Sequence, residues 1–175
     1  NATSMVLGND CLINSLIAQG VSGIAISADD ADALVPPLKD AIAGGMPVVS
    51  WDSPPGKDGR LFHINQATVQ GIGENQIQLA SELAGPDGGQ IAILSATSTA
   101  PNQNLWIEAM KEELKKPEYA NLQLVDVVYG DDDDTKSYNE ALGLFTKYPD
   151  LKVIIAPTTV GIAASARAVT DKNLI

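Results

Sequence analysis

A single cysteine, Cys11, occurs in 175 residues, so neither an intrachain disulfide nor a cysteine metal cluster can form. Cys11 then reads as a small apolar filler. A single histidine, His63, rules out a His-rich metal site and leaves no obvious centre for a Ser-His-Asp triad. On a strand it reads as a packed or surface imidazole rather than a base. Positive charge is scarce, with 11 basic residues against 22 acidic and a formal net charge of −11. A duplex-binding module needs a basic face to displace counterions, so nucleic acid is not expected as a partner. No run of about 18 apolar residues appears, and no membrane span is read. No Gly-rich loop with a lysine follows a strand to cradle phosphate, and the "GIG" at 71–73 lies inside a helical pattern. Neither a metal nor a cofactor is therefore expected. Aromatic residues are only 5% of the chain, and both tryptophans, Trp51 and Trp106, stand beside turn or polar runs.

What the chain does have is 45% hydrophobic residues, enough at this length for a real core. The first ten residues carry no fold reading. Beyond them, two kinds of segment alternate. Short runs rich in Val, Ile and Ala predict strands at 21–27, 46–52, 61–65, 89–96, 122–130 and 152–158. "IAIL" and "VIIA" are apolar without alternation, as in parallel strands buried on both faces. Between them lie helical patterns. Ile13, Leu16 and Ile17 share one face ahead of Gly20. The segment "ADALVPPLKDAIAGG" opens on Asp29, Asp30 and Asp32, whose charge suits a helix N-terminus. Its Pro36 and Pro37 are expected to distort the first turns or delay the helix. Ile72, Ile77, Leu79 and Leu83 recur at roughly helical spacing. Trp106, Met110 and Leu114 stand four apart, and Tyr138, Leu142 and Phe145 form one stripe.

Strand and helix in alternation predict an α/β fold with crossover connections. Ligands of such sheets bind outside the carboxyl ends of the strands. The residues there are Ala28 to Asp30, Asp52-Ser53, Asn65-Gln66, Thr97-Ser98, Asp131 to Asp134, and Pro157 to Thr159. They are polar, nearly free of positive charge, and rich in groups that hydrogen-bond hydroxyls. Asp52 is the leading ligand candidate on this ground. Trp51 beside it should point to the opposite face and pack into its lobe or at a hinge. Trp106 is expected in the core. Asn102 suits a helix N-cap as well as a ligand contact. The run Asp131 to Asp134 lacks the alternating ligands and distal Glu of a calcium loop, and reads as an N-cap with favourable dipole charge.

The segments "INSLIAQGVSGIAIS", "PVVSWDS", "INQ", "NQNLWIEAMKEEL", "DDDDTKSYNEALGLF" and "VIIAPTTVGIAASARAV" resemble the periplasmic sugar-binding proteins of bacterial ABC importers, over about residues 12 to 175. Rhamnose-binding proteins are the first likeness and autoinducer-2-binding proteins the next. The resemblance implies a type I periplasmic binding fold: two three-layer αβα, Rossmann-like lobes with parallel sheets, closing over one small ligand without covalent chemistry. It places residues 1–60 in a partial first lobe, 61–67 in a hinge crossover and 68–175 in most of the second lobe. Members run to roughly twice this length, so this chain is expected to hold an incomplete fold, beginning near the middle of the first lobe. An unpaired sheet edge would then invite self-association.

By the same resemblance the sugar contacts are Asp52 in "SWDS", Asn102 and Gln103 in "PNQNLW", and Pro157 and Thr159 in "APTTVG". Autoinducer-2 receptors carry an acidic residue where Asn102 stands and a small apolar one near Thr159, so rhamnose or a similar deoxy sugar is favoured. The implied protein is an exported, periplasmic solute-binding component that docks to a membrane permease, with no catalytic residues. One alternative is the effector domain of a sugar-responsive regulator, which shares the fold; the −11 charge and missing DNA-binding headpiece weigh against it. A doubly wound enzyme would need a general base or cofactor loop, and neither is visible.

Overall fold

The computed structural model describes residues 9–174. The chain divides into two compact units. The first comprises residues up to Ala67 together with Thr99–Asn102, and the second comprises Thr68–Ser98 and Gln103 onward.

The first unit holds a parallel sheet of β1 (Ile24–Ile26), β2 (Val48–Trp51) and β3 (Phe62–Ile64), in that spatial order. Helices α1 (Asn9–Ala18) and α2 (Val35–Ala43) cover one face of it. Ile13 from α1 and Leu38 and Ala41 from α2 meet Ile24 and Val48 of the sheet, with Leu16 and Ile17 completing the α1 stripe. Period-two alternation decides the rest. Val48 and Ser50 point inward and are buried, while Val49 and Trp51 pair across the ladder with Phe62 and Ile64 on the opposite face. That face has no helix over it among the described residues, and Trp51, Phe62 and Ile64 are 53%, 54% and 57% exposed.

Trp51 therefore does not pack into a core, contrary to the sequence expectation. The alternation expected between Trp51 and Asp52 runs in the ladder between Trp51 and Ser50, and the face Trp51 takes is uncovered among the described residues. Cys11 is also exposed rather than filling the interior. The prolines do not delay α2 either. Its helix starts at Val35, ahead of them, because first-turn N–H groups have no intrahelical partner to lose. Nor do the acidic residues before it charge the first turn. Asp30 instead accepts the backbone N–H of Asp32 and Ala33, both at 2.9 Å, closing a turn ahead of the helix.

The second unit has three layers. Its parallel sheet runs β5 (Leu122–Tyr129), β4 (Gly89–Ser95), β6 (Leu151–Ile155). Helices α3 (Val69–Ala84) and α4 (Pro101–Glu113) cover one face, where Ile77, Trp106, Ile107 and Met110 pack on Ile91 and Ile93. Helices α5 (Asp134–Lys147) and α6 (Thr159–Asp171) cover the other, where Ala141 and Ala168 meet Leu94. The central strand is sealed on both faces, which is why it reads as a continuous apolar run. Trp106 is core, as expected. Leu79 and Leu83 are not: α3 turns them outward, 55% and 68% exposed.

The order β5-β4-β6 creates a switch point. The connection from β4 runs through α4 on one face, and the helices that flank β6 lie on the other. The carboxyl ends of β4 and β6 thus border the crevice where doubly wound sheets take ligands.

Candidate functional site

In the first unit, the segments leaving all three strands converge on one carboxylate. Asp52 directly follows β2 and adopts a left-handed backbone, φ 57°, a conformation Asp tolerates better than most residues. Its N–H donates to the Ile64 carbonyl at 3.2 Å. Ser27, directly after β1, donates Oγ to Asp52 Oδ2 at 3.2 Å. Gln66, two residues after β3, donates Nε2 to Oδ1 at 2.9 Å. Asn102 donates Nδ2 to the same oxygen at 3.3 Å. None of the three partners is charged, and no ion pair among the described residues involves Asp52. The result is a half-buried anionic acceptor ringed by hydroxyl and amide groups.

Asn102 is the second residue of α4, behind Pro101, so its side chain serves Asp52 rather than capping the helix. His63 is bracketed too. Its Nδ1 lies 2.8 Å from Ser50 Oγ and its Nε2 2.7 Å from Asn65 Oδ1. The imidazole with its proton on Nε2 donates to Asn65 and accepts from the buried Ser50, a structural cross-strand tie.

The second unit presents its own polar set at the switch point. Gln103 is 7% exposed, and its Oε1 accepts from Ser95 Oγ at 2.8 Å and the Ala96 N–H at 2.9 Å. The amide is thereby fixed to the end of β4. After β6 come Pro157, half-buried, Thr158, buried, and Thr159, exposed as the first residue of α6. Thr158 occupies the N-cap position, yet its hydroxyl turns to Asp132 Oδ1 instead of the helix. Asp131 and Asp132 both have left-handed backbones, φ 53° and 50°.

Each aspartate of the acidic run has its own task. Asp131 pairs with Lys136, and Asp132 takes Thr158. Asp133 caps α5 through the Lys136 N–H at 2.7 Å. Asp134 forms a two-pronged pair with Arg167, at 3.0 and 2.8 Å, which holds its carboxyl below the usual carboxylate range.

Of the residues expected at a site, Asp52 and Asn102 are joined directly. Gln103 lies at the β4 end, and Pro157 and Thr159 flank Thr158 at the β6 end. Sequence reasoning missed Ser27 altogether, while Gln66, Asp132 and Thr158 stood in its strand-end set without a role for their side chains. Their position just past a strand was the available signal.

A family model for the periplasmic binding protein domain matches residues 10–174. An ABC-transporter solute-binding protein from Clostridium phytofermentas, solved with L-rhamnose bound, is 41% identical with a TM-score of 0.91, over 95% of this chain and 51% of that one. A sugar ABC transporter protein from Actinomyces odontolyticus is 43% identical with a TM-score of 0.62, over 93% of this chain and 52% of that one. The D-ribose/D-allose-binding protein of Pseudomonas aeruginosa is 24% identical over 166 residues, 90% of this chain and 50% of the relative. The chain thus spans about half the length of the curated relative it matches. With nearly its whole length matched and its parallel α/β units in agreement, the chain belongs to the periplasmic binding protein domain family.

Proposed function

We propose that this chain carries sugar-binding determinants of an ABC-importer solute-binding protein, and that the preferred ligand is rhamnose or a similar deoxy sugar. The observation that carries the reading is Asp52, a carboxylate at a strand end with only neutral hydrogen-bond partners. Sugars present adjacent hydroxyls, and a charged acceptor makes the stronger bonds to them. Asn102 and Gln103 bring amides that donate and accept, matching a hydroxyl that does both. Pro157 and Thr159 add an apolar surface and a further hydroxyl, and a 6-deoxy sugar brings a methyl group to bury. The likeness to a solute-binding protein solved with L-rhamnose supports the choice of sugar.

The protein works by non-covalent capture, is exported to the periplasm, and delivers its ligand to a membrane permease. Among the described residues the outer strands of each sheet pair on one side only, and an open edge of that kind offers a route to self-association. Light scattering during size-exclusion chromatography reads that directly, and a strict monomer at all concentrations contradicts it. The function is tested by calorimetric titration with L-rhamnose, D-ribose and D-arabinose. Saturable heat, strongest with rhamnose, supports the reading; no binding of any of them, or turnover of one, contradicts it.

A further inference from the structure

We propose that Ser27 and Gln66 are positioning residues that hold the Asp52 carboxylate in one orientation before ligand arrives. The inference rests on Asp52 being a sugar contact, and adds how the chain prepares it. A carboxylate on a short side chain has two torsions to lose on binding. Here one oxygen is held from β1 and the other from β3: Ser27 Oγ takes Oδ2 at 3.2 Å, and Gln66 Nε2 takes Oδ1 at 2.9 Å. Rotation about Cα–Cβ, which carries the whole carboxylate away, breaks both bonds.

Ser27 is itself anchored. Its Oγ accepts the Ser53 N–H at 3.4 Å while donating to Asp52, using both capacities of a hydroxyl. The segments after β1 and β2 are then locked by Ala28 N–H to the Ser53 carbonyl at 2.9 Å, and by Ser53 Oγ to the Ala28 carbonyl at 2.6 Å. Ser53 is 3% exposed and Ala28 fully buried, so this frame does not drift. Asp52 follows the last strand residue with a left-handed backbone, φ 57°, and this frame fixes the residues on either side of its carboxylate. Gln66 differs in being exposed.

Pre-organisation of one side chain is worth about a 3- to 10-fold change in affinity. The test uses Ser27→Ala, Ser27→Thr and Gln66→Ala in the full chain, with two readouts. Side-chain NMR couplings of Asp52, measured without ligand, are expected to show one χ1 rotamer in the wild type and in Ser27→Thr, and averaging in Ser27→Ala. Titration with L-rhamnose is expected to show about 3- to 10-fold weaker binding for Ser27→Ala and Gln66→Ala, recovery in Ser27→Thr, and no further effect of Ser27→Ala on an Asp52→Asn background. A single unchanged Asp52 rotamer in Ser27→Ala overturns the proposal, as does a Ser27→Ala loss that persists in full beside Asp52→Asn. Should Ser27→Ala not fold, Gln66→Ala decides by the same two readouts, since its side chain lies at the surface. If Asp52→Asn leaves rhamnose affinity intact, the sugar-site reading fails while the rotamer measurement still judges the positioning claim.

Discussion

Adding one methyl group to the chain is expected to have opposite effects at two helical glycines. At Gly73, in α3, an added Cβ would stand 2.6 Å from Ala109 Cβ, 2.8 Å from Ala109 C and 2.9 Å from Met110 N. Ordinary carbon contacts lie at about 3.5–4.0 Å, so α3 and α4 must separate by roughly 1 Å. Two of the three obstacles are backbone atoms and cannot swing aside. The separation also loosens Ile77 and Met110, both fully buried on β4. Overpacking costs about 1–3 kcal/mol, and with backbone atoms as obstacles the upper part of that range, about 2–3 kcal/mol, applies, against a gain of about 1 kcal/mol from alanine's better helix propensity. A net loss of about 1–2 kcal/mol follows, or a Tm lower by about 3–7 °C for a chain of this size. At Gly143, in α5, an added Cβ meets nothing within 4 Å. There the propensity term stands alone, and Gly143→Ala is expected to gain about 0.5–1 kcal/mol. Thermal unfolding by circular dichroism reads both. A Gly73→Ala chain as stable as the wild type, or a destabilised Gly143→Ala, would refute the packing argument. The stakes reach the site, because α4 is the helix that carries Asn102 and Gln103.

Two further outcomes follow from exposure and charge. Asp126 accepts from Lys147 Nζ at 2.9 Å, from Tyr148 OH at 3.1 Å and from the Val127 N–H at 2.9 Å. Lys147 foremost holds its carboxyl below the ordinary 3.8, while the same pairing pushes Lys147 up to about 12. A lowered carboxyl value means stability that is present above the unfolded value and lost as pH falls through the folded one. Asp126→Asn is therefore expected to lower the urea midpoint at neutral pH and to change it progressively less as the pH is taken down through the carboxylate range; an equal loss at neutral and acid pH would contradict this. Cys11, exposed on α1, is expected to react with a thiol reagent in the native chain nearly as fast as in denaturant, and strong protection would place it elsewhere.

Much of the fold was legible because the second unit obeys a simple rule. A strand sealed on both faces is apolar throughout, so β4 announces itself. The first unit was harder. Trp51 was expected to pack on the face opposite Asp52, yet no local pattern tells which face a helix will cover. Leu79 and Leu83 show the same limit, since their helical spacing holds while α3 turns them outward. The acidic residues before α2 misled because a side chain that closes a turn and one that charges a helix end look alike in sequence. Asp52 was found by its place after a strand. Ser27 and Gln66 stand 25 residues before it and 14 after, and only the parallel register of β1, β2 and β3 brings them to the same carboxylate.

The central claim is that Asp52 holds a sugar. The substitution to use is Asp52→Asn, because asparagine tolerates the left-handed backbone while it removes the charge and turns one acceptor oxygen into an amide donor. Hydrogen bonds to a charged group are worth about 1.5–3 kcal/mol, so loss of the charge is expected to weaken L-rhamnose binding by about 10- to 150-fold in a calorimetric titration, with the thermal unfolding midpoint nearly unchanged. An affinity within about 2-fold of the wild type would take Asp52 out of the site, and the account with it.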